Sequence, residues 1–157
     1  MIVVLTGTNP YSFDRLVRTV DQSLGKEFDV FIQLGNTKYV PLNCEYINFL
    51  DNASLIQKIE SASLVISQGG FGSIMTALNA SKPVIAVPRL PSLGESQDHQ
   101  IDLVQYYLKK QYLAACLNID DLTSIAKSIL NNELKFKSYV PETSTLIRDE
   151  IVKFLCR

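Results

Sequence analysis

The 157-residue sequence lacks several features that mark particular classes of protein. Its three cysteines, Cys44, Cys116 and Cys156, are far apart and form no CxxC pair. A disulfide framework or a zinc site requires a different number or closer spacing, so we interpret them as reduced thiols of a cytosolic protein. The sole histidine, His99, has no second histidine or cysteine nearby in the sequence, which argues against a metal site.

Long apolar runs and an excess of one charge are also missing. No run approaches the roughly 20 apolar residues of a membrane-spanning helix. The apolar start, residues 1–5, follows no basic segment, so we expect a first β-strand there rather than a signal peptide. The 15 basic and 16 acidic side chains give a net charge of −1, which argues against a nucleic-acid-binding protein. We therefore expect a soluble protein.

Short apolar, β-branched runs alternate with helical patterns along the chain. The predicted strands are residues 1–7, 28–35, 44–50, 63–69, 83–89 and 112–118. The predicted helices are residues 12–24, 52–61, 71–81, 98–110, 119–132 and 143–156. This alternation is typical of a parallel sheet covered by helices on both faces. The sequence thus predicts one α/β domain, residues 1–157, built on a Rossmann-like, doubly wound parallel sheet of about six strands.

Helix ends carry polar residues that are suited to N-capping. The candidate caps for the first, second and fifth predicted helices are Ser12 or Asp14, Asn52 or Ser54, and Asp120 or Asp121. The last predicted helix has an apolar stripe that we expect to cover the sheet or to face a partner. This stripe consists of Ile147, Ile151, Phe154 and Leu155.

The segment SQGGFGS, residues 67–73, links a predicted buried strand to a helix; we call it the glycine turn. Ligands of open α/β sheets bind beyond the carboxyl ends of the strands. Glycines let a ligand approach the backbone, and the N–H groups of a helix N-terminus attract anions. The glycine turn is therefore either a phosphate-binding site or only a tight connection.

Two common phosphate motifs do not fit this sequence. The dinucleotide pattern GxGxxG fails because Met75 stands where the third glycine should be, and the next strand ends on Arg89 rather than on an acidic residue. A Walker A loop requires Gly-Lys-Ser or Gly-Lys-Thr, and residues 25–27 read Gly-Lys-Glu. Neither NAD nor ATP is indicated.

Two further loops follow strands that end at the same edge of the predicted sheet. The segment GESQDHQ, residues 94–100, places Asp98, His99 and Gln100 together, and their hydrogen-bonding groups suit sugar hydroxyls. The first turn, residues 5–14, offers Gly7 and Thr8, with Thr6 beside them, to a phosphate or a sugar. Each loop also has a purely structural interpretation, as a surface segment or as a capped helix start.

Together these segments resemble the glycosyltransferase family 28 C-terminal domain, the donor-binding half of GT-B enzymes. The first turn is similar to the family's opening, and residues 51–89 resemble its central block. The segment GESQDHQ is similar to one branch, the small subunits of two-part bacterial exopolysaccharide and capsule glycosyltransferases. That branch is related to the small subunit of the eukaryotic UDP-N-acetylglucosamine transferase that acts on a dolichol-linked sugar. The resemblance extends over nearly the whole chain.

The resemblance implies a UDP-sugar donor and no metal or other cofactor. Its pyrophosphate would rest on residues 69–73, and the backbone of residues 88–91 would read the uracil. The segment 94–100 would bind the sugar, and Arg89 and Glu95 would border the pocket. With the first turn, the candidate donor-binding residues are Gly7, Thr8, Ser67, Gln68, Gly69, Gly70, Gly72, Ser73, Thr76, Arg89, Glu95, Asp98, His99 and Gln100.

Two positions depart from the family pattern. Thr76 stands where the family usually has a glutamate that binds the ribose hydroxyls, and Ser73 or Asn79, about one helical turn away, is a candidate substitute. Gln68 stands where many relatives have histidine, which weakens any charged contact to phosphate.

The resemblance also implies a second polypeptide, because a complete GT-B enzyme has two such domains. That partner would be membrane-anchored and would bind a lipid-linked saccharide acceptor. It would also hold this chain at the cytoplasmic face of the membrane. Transfer would invert the anomeric centre; the general base would come from the partner, and His99 is the best local candidate. The alternative is a non-catalytic module that binds nucleotide sugar or regulates an active enzyme.

Overall fold

The computed structural model describes residues 1–141, and these form one sheet in which every pair of neighbouring strands is parallel. The strands are β1 (Ile2–Leu5), β2 (Val30–Gln33), β3 (Glu45–Ile47), β4 (Leu64–Gln68), β5 (Val84–Val87) and β6 (Ala114–Ala115). Their order across the sheet is β3-β2-β1-β4-β5-β6. The predicted fold class, a Rossmann-like, doubly wound parallel sheet of about six strands, is confirmed.

Helices connect most of the strands. They are α1 (Asp14–Gln22), α2 (Asn52–Ser61), α3 (Phe71–Asn79), α4 (Ile101–Lys109) and α5 (Leu122–Leu130). Three short 3-10 helices add Leu24–Lys26, Pro91–Leu93 and Ile119–Asp121. The predicted helix at residues 143–156, with its apolar stripe, and Cys156 lie outside the described residues. Within residues 1–141, no helix is long and apolar enough to cross a membrane.

The two edge strands are shorter than predicted. β3 keeps three residues, all of them exposed, where the sequence predicts 44–50, and β6 keeps two where it predicts 112–118. An edge strand has a partner on one side only, so fewer of its backbone groups are held in the ladder. Apolar content alone does not set the ends of such a strand.

Alternate residues of the central strands face two separate layers of the core. Ile2 and Val4 of β1 belong to a cluster that α1 and α5 cover, whereas Val3 and Leu5 belong to a second cluster that α2, α3 and α4 cover. Because both faces of the sheet are buried, its strands read as continuous apolar runs in the sequence.

The predicted cap of α2 is wrong by one residue. The N-cap is Asp51, whose carboxylate accepts hydrogen bonds from Ser54 N over 3.0 Å and from Ser54 Oγ over 2.6 Å. Asn52 is the first residue of the helix, and Ser54 donates to the cap instead of acting as one. A carboxylate is a strong acceptor at the positive end of a helix dipole.

The predicted cap of α1 is wrong, whereas for α5 the predicted Asp121 is correct in position only. The N-cap position of α1 is Phe13, and no side chain of the described part of the chain caps this end. Asp14 instead accepts hydrogen bonds from the backbone N–H groups of residues 38 and 39, so it anchors a neighbouring loop. A 3-10 turn precedes α5 and is capped by Asn118, which accepts from Asp120 N over 3.3 Å. Asp121 occupies the N-cap position of α5 without a side-chain hydrogen bond.

Candidate functional site

The order of the strands reverses between β1 and β4, which lie side by side at the centre of the sheet. The register pairs Leu5 with Ser67, so both strands end at the same edge. After β1 the chain continues to α1 on one face, and after β4 it continues to α3 on the other face. The connections separate at this point and leave a crevice, the usual ligand site of a doubly wound sheet.

A cleft of about 310 Å³ opens at this crevice. Seven of the residues that the sequence singles out line the cleft: Gly7, Thr8, Gln68, Gly70, Gly72, Ser73 and Thr76. The fold therefore brings the first turn and the glycine turn together around one space.

The N-terminus of α3 forms one wall of the cleft. Gly70 is the N-cap, and no side chain within residues 1–141 caps the helix. The first-turn N–H groups of a helix have no intrahelical partner, and they carry its positive partial charge. Gly72 and Ser73 belong to this turn and line the cleft, so backbone N–H groups and one hydroxyl can meet an anionic ligand there.

Positions 69 and 72 of the glycine turn are occupied by glycine for different physical reasons. A Cβ on Gly69 would lie 2.9 Å from both Gln100 Cβ and Val104 Cγ2, so this glycine lets α4 pack against the turn. A Cβ on Gly72 would meet nothing within 4 Å. Packing inside the described chain thus requires glycine at position 69, whereas at position 72 the open space belongs to the cleft.

The first turn is held by a glutamine that the sequence analysis does not single out. Gly7 has a φ of +76°, a left-handed conformation that favours glycine. Gln33, at the end of β2, accepts from Gly7 N over 3.0 Å and donates to Gly7 O over 3.1 Å. The Gly7 N–H is consequently not available to a ligand, and Thr8 is the exposed residue that this turn presents to the cleft.

Arg89 lies beneath the cleft and does not line it. The side chain is 1% exposed. Its Nε donates to Gln68 Oε1 over 2.7 Å, and its terminal nitrogens donate to the carbonyls of residues 6, 11, 12 and 95. Burial lowers the pKa of Arg89 to about 10, with the nearby Glu95 acting in the opposite direction, so the guanidinium is charged at neutral pH. Arg89 therefore connects the first turn, the loop after β5 and the end of β4.

Ser67 and Glu95 are also buried away from the cleft. Ser67 donates to the carbonyl of Gln68 over 2.8 Å. Glu95 forms a two-pronged ion pair with Arg15, at 2.9 Å for each hydrogen bond, and accepts from Leu90 N over 2.9 Å. These contacts fix the loop after β5 against α1.

The sugar-binding candidates of the 94–100 segment occupy the approach to α4. Asp98 and His99 are exposed, and Gln100 is half-buried. Gln100 packs on Gly69 and accepts from Arg89 N over 3.0 Å, so it lies directly beside the glycine turn. The backbone N–H groups of Arg89 and Leu90 therefore both have partners within the protein. Neither is free to bind a uracil beside the 88–91 loop.

Thr76 lines the cleft, but its hydroxyl already has a partner. Thr76 Oγ1 donates to Gly72 O over 2.8 Å, one turn back along α3. Its oxygen lone pairs remain able to accept a hydrogen bond. Of the two candidate substitutes for the family glutamate, Ser73 lines the cleft, whereas Asn79 is not part of its lining.

Five lining residues of the cleft were not predicted: Leu5, Gln33, Phe49, Leu50 and Leu55. A polar residue at the end of an otherwise apolar strand is a usable signal for Gln33. The other four are apolar and look like core residues in the sequence. Within residues 1–141, no group of three or more His, Cys, Asp and Glu side chains is arranged to hold a metal ion.

Several solved structures share this fold. The chain matches MurG from Acinetobacter baumannii at 18% identity with a TM-score of 0.60, over 85% of this chain and 42% of that one. It matches the glycosyltransferase SnogD from Streptomyces nogalater at 17% identity with a TM-score of 0.61, over 83% of this chain and 35% of that one.

A third match is the UDP-GlcNAc 2-epimerase from Neisseria meningitidis bound to UDP-GlcNAc. It has 10% identity and a TM-score of 0.65, and the match covers 97% of this chain and 44% of that one. The chain thus spans less than half the length of each of these three proteins. No curated protein sequence matches it.

The family model of the glycosyltransferase family 28 C-terminal domain matches residues 1–153. The solved structures that share this chain's fold include the glycosyltransferase SnogD. The resemblance inferred from the sequence motifs is confirmed, and the chain belongs to the glycosyltransferase family 28 C-terminal domain family.

Proposed function

We propose that this chain is the donor-binding, catalytic subunit of a two-component inverting glycosyltransferase. It binds a UDP-sugar in the cleft between the first turn and the glycine turn. A membrane-anchored partner presents a polyprenyl-pyrophosphate-linked saccharide whose hydroxyl attacks the sugar, as in exopolysaccharide or capsule synthesis. The chain works at the cytoplasmic face of the membrane through this partner and needs no metal.

The observation that carries this proposal is the uncapped N-terminus of α3 at the cleft. Gly72 leaves open space there, and Ser73 adds a hydroxyl. Backbone N–H groups at this position stabilise negative charge, which grows on the UDP leaving group as the bond to the sugar breaks. The epimerase of similar fold is bound to UDP-GlcNAc, which supports a nucleotide sugar as the ligand class.

Calorimetric titration with UDP, UDP-glucose and UDP-N-acetylglucosamine tests donor binding. We expect weak, saturable binding of UDP by the isolated chain. Gly72→Val places a branched side chain in the open space and should abolish binding without loss of fold. Val20→Ala, a core substitution in α1 that lies outside the cleft, is a control for general destabilisation. Unchanged UDP affinity in Gly72→Val would refute this site.

Partner dependence requires a separate experiment. A candidate partner is a short protein encoded beside this chain, with one N-terminal membrane helix and its own α/β pattern. Co-expression should give a membrane-bound complex that transfers sugar to a lipid-linked acceptor, whereas neither protein does so alone. Full transferase activity of this chain alone would contradict the two-component proposal.

One observation favours a second candidate, a non-catalytic nucleotide-sugar-binding or regulatory module. Thr76 replaces the family glutamate, and its hydroxyl is bonded to Gly72 O. Binding that persists while the complex shows no turnover would favour this candidate. Turnover that Gly72→Val removes would favour the catalytic subunit.

A further inference from the structure

Gln68 carries an amide nitrogen that has no acceptor among the described residues. The side chain is 8% exposed and lines the cleft. Its Oε1 accepts from Arg89 Nε over 2.7 Å, and within residues 1–141 no hydrogen bond engages Nε2. Because no buried side-chain nitrogen or oxygen within residues 1–141 lacks a partner, this unpaired nitrogen is one that the cleft reaches, so it is free to donate to a ligand there.

Arg89 fixes which way the Gln68 amide faces. A guanidinium has donors only, so the amide oxygen must turn toward Arg89 and the NH₂ group must turn away from it. The nitrogen then lies between the two turns: a Cβ on Gly7 would collide with it, and a Cβ on Gly70 would lie 3.2 Å from it. Both glycines leave room for this amide.

A second amide is oriented in the same way. Gln100 Oε1 accepts from the backbone N–H of Arg89 over 3.0 Å, and its Nε2 would lie 3.7 Å from a Cβ on Gly70. Two amide nitrogens therefore flank the N-cap of α3. Both have their oxygen held by the same residue.

The charge behind these amides favours an anion. The Arg89 guanidinium donates to four backbone carbonyls and one amide oxygen, and to no carboxylate. The carboxylate of Glu95 is taken by Arg15. With Arg89 and Glu95 buried and Arg15 half-buried, two guanidinium groups and one carboxylate leave this cluster with a charge of +1.

We propose that Arg89 is a positioning residue for the diphosphate of the donor. It locks Gln68 so that the NH₂ group donates to a phosphate oxygen beside the α3 N-terminus. Where many relatives have a histidine, this chain has a donor that does not titrate. The proposal rests on the proposed function, because it takes the cleft ligand to be a nucleoside diphosphate.

A double-mutant cycle tests the positioning role, with binding of UDP and inorganic pyrophosphate measured by calorimetry. Gln68→Ala should weaken both by about tenfold, the usual effect of one hydrogen bond to a charged group. Arg89→Lys keeps the charge but removes the Nε–H, and should weaken binding in the wild-type background only. Equal weakening by Arg89→Lys in the Gln68→Ala background would overturn the proposal. Gln57→Ala, on the exposed face of α2, should bind as the wild type does.

A pH series supplies a readout that a purely structural role does not affect. In Gln68→His, UDP affinity relative to the wild type should rise as the pH falls from about 8 to about 6, because imidazole becomes charged. The ratio of the two affinities removes the effect of protons that UDP itself gains, because that effect is the same for both proteins. A ratio that stays constant over this range would overturn the contact. This arm keeps Arg89, so it tests the contact between residue 68 and phosphate even if Arg89→Lys does not fold.

The outcomes separate this inference from the proposed function. If Gly72→Val abolishes UDP binding while Gln68→Ala does not weaken it, the donor site stands and the inference fails. If the wild type binds pyrophosphate but not UDP, the donor assignment fails, and a loss of pyrophosphate binding in Gln68→Ala still supports the inference. If the wild type binds neither, both fail.

Discussion

Gly7 and Gln33 exchange two hydrogen bonds, from Gly7 N to Gln33 Oε1 at 3.0 Å and from Gln33 Nε2 to Gly7 O at 3.1 Å. The same Nε2 also donates to Asn48 O over 3.0 Å. One buried amide therefore ties the first turn of the cleft to the loop after β3.

Gln33→Leu should destabilise the protein and loosen the first turn. The substitution leaves the N–H and the carbonyl of Gly7 without their partner, whereas Asn48 O keeps its hydrogen bond from Gly35 N, and a single unpaired buried group costs about 1–3 kcal/mol. We expect a lower free energy of unfolding in urea and weaker UDP binding. The exposed Gln57→Leu is the matched control, and equal effects of the two variants would contradict the assignment.

The two glycines at positions 69 and 72 should respond oppositely to alanine. Gly69→Ala places a Cβ 2.9 Å from Gln100 and Val104, so we expect a lower melting temperature. Gly72→Ala meets open space inside a helix, where alanine is favoured over glycine by about 1 kcal/mol. Thermal melts and UDP titrations should show Gly72→Ala at least as stable as the wild type and weaker in binding. A destabilised Gly72→Ala would mean that packing, and not a ligand, requires this glycine.

Thr76→Glu should strengthen nucleotide binding. The resemblance implies that relatives use a glutamate at this position to bind the ribose hydroxyls, and Thr76 lines the cleft. We expect a lower dissociation constant for UDP and no gain for inorganic pyrophosphate, which lacks a ribose. Asn79→Glu adds the same charge to α3 outside the lining of the cleft and should give no gain. Tighter pyrophosphate binding in Thr76→Glu would contradict this role.

Acid should weaken the fold through Asp21. This buried carboxylate accepts from Asn43 N over 2.6 Å, Leu42 N over 3.0 Å and the Tyr39 hydroxyl over 2.7 Å. Burial acts to raise the pKa of Asp21, but the hydrogen bonds outweigh it and the pKa lies below the ordinary value of 3.8. Such a group stabilises the fold above its unfolded pKa and loses that contribution as the pH falls through its folded pKa.

The free energy of unfolding should therefore decline below about pH 4. Asp21→Asn should be less stable at neutral pH and should show a shallower decline in acid. Urea denaturation across a pH series measures both effects. Asp29→Asn, at an exposed position, should follow the wild-type curve; an identical curve for Asp21→Asn would contradict the linkage.

The two described cysteines should be unreactive in the native protein. Burial raises the pKa of Cys116 to about 11 and that of Cys44 to about 12. At pH 8 the thiolate fraction of each is then on the order of one in a thousand or less. In a Cys156→Ser background, a thiol-specific dye should label neither cysteine in buffer and both in urea. Fast labelling in buffer would show that one of these sites opens.

The sequence alone determined the fold and the position of the cleft. Residues 2–5 and 64–66 are continuous apolar runs bounded by helical patterns, which is typical of a parallel sheet buried on both faces. The carboxyl ends of parallel strands meet at one edge, so the glycine turn and the first turn could be assigned to one site before any coordinates.

The tertiary structure decided which residues face the ligand. The sequence places Arg89 at the pocket, but the side chain donates hydrogen bonds to the carbonyls of residues 6, 11 and 12, which precede it by 83, 78 and 77 positions. These bonds hold Arg89 beneath the cleft. Gln33 likewise binds Gly7 from 26 positions away. Such side chains satisfy distant backbone groups that no local pattern displays, because only the packed fold brings these groups within hydrogen-bonding distance.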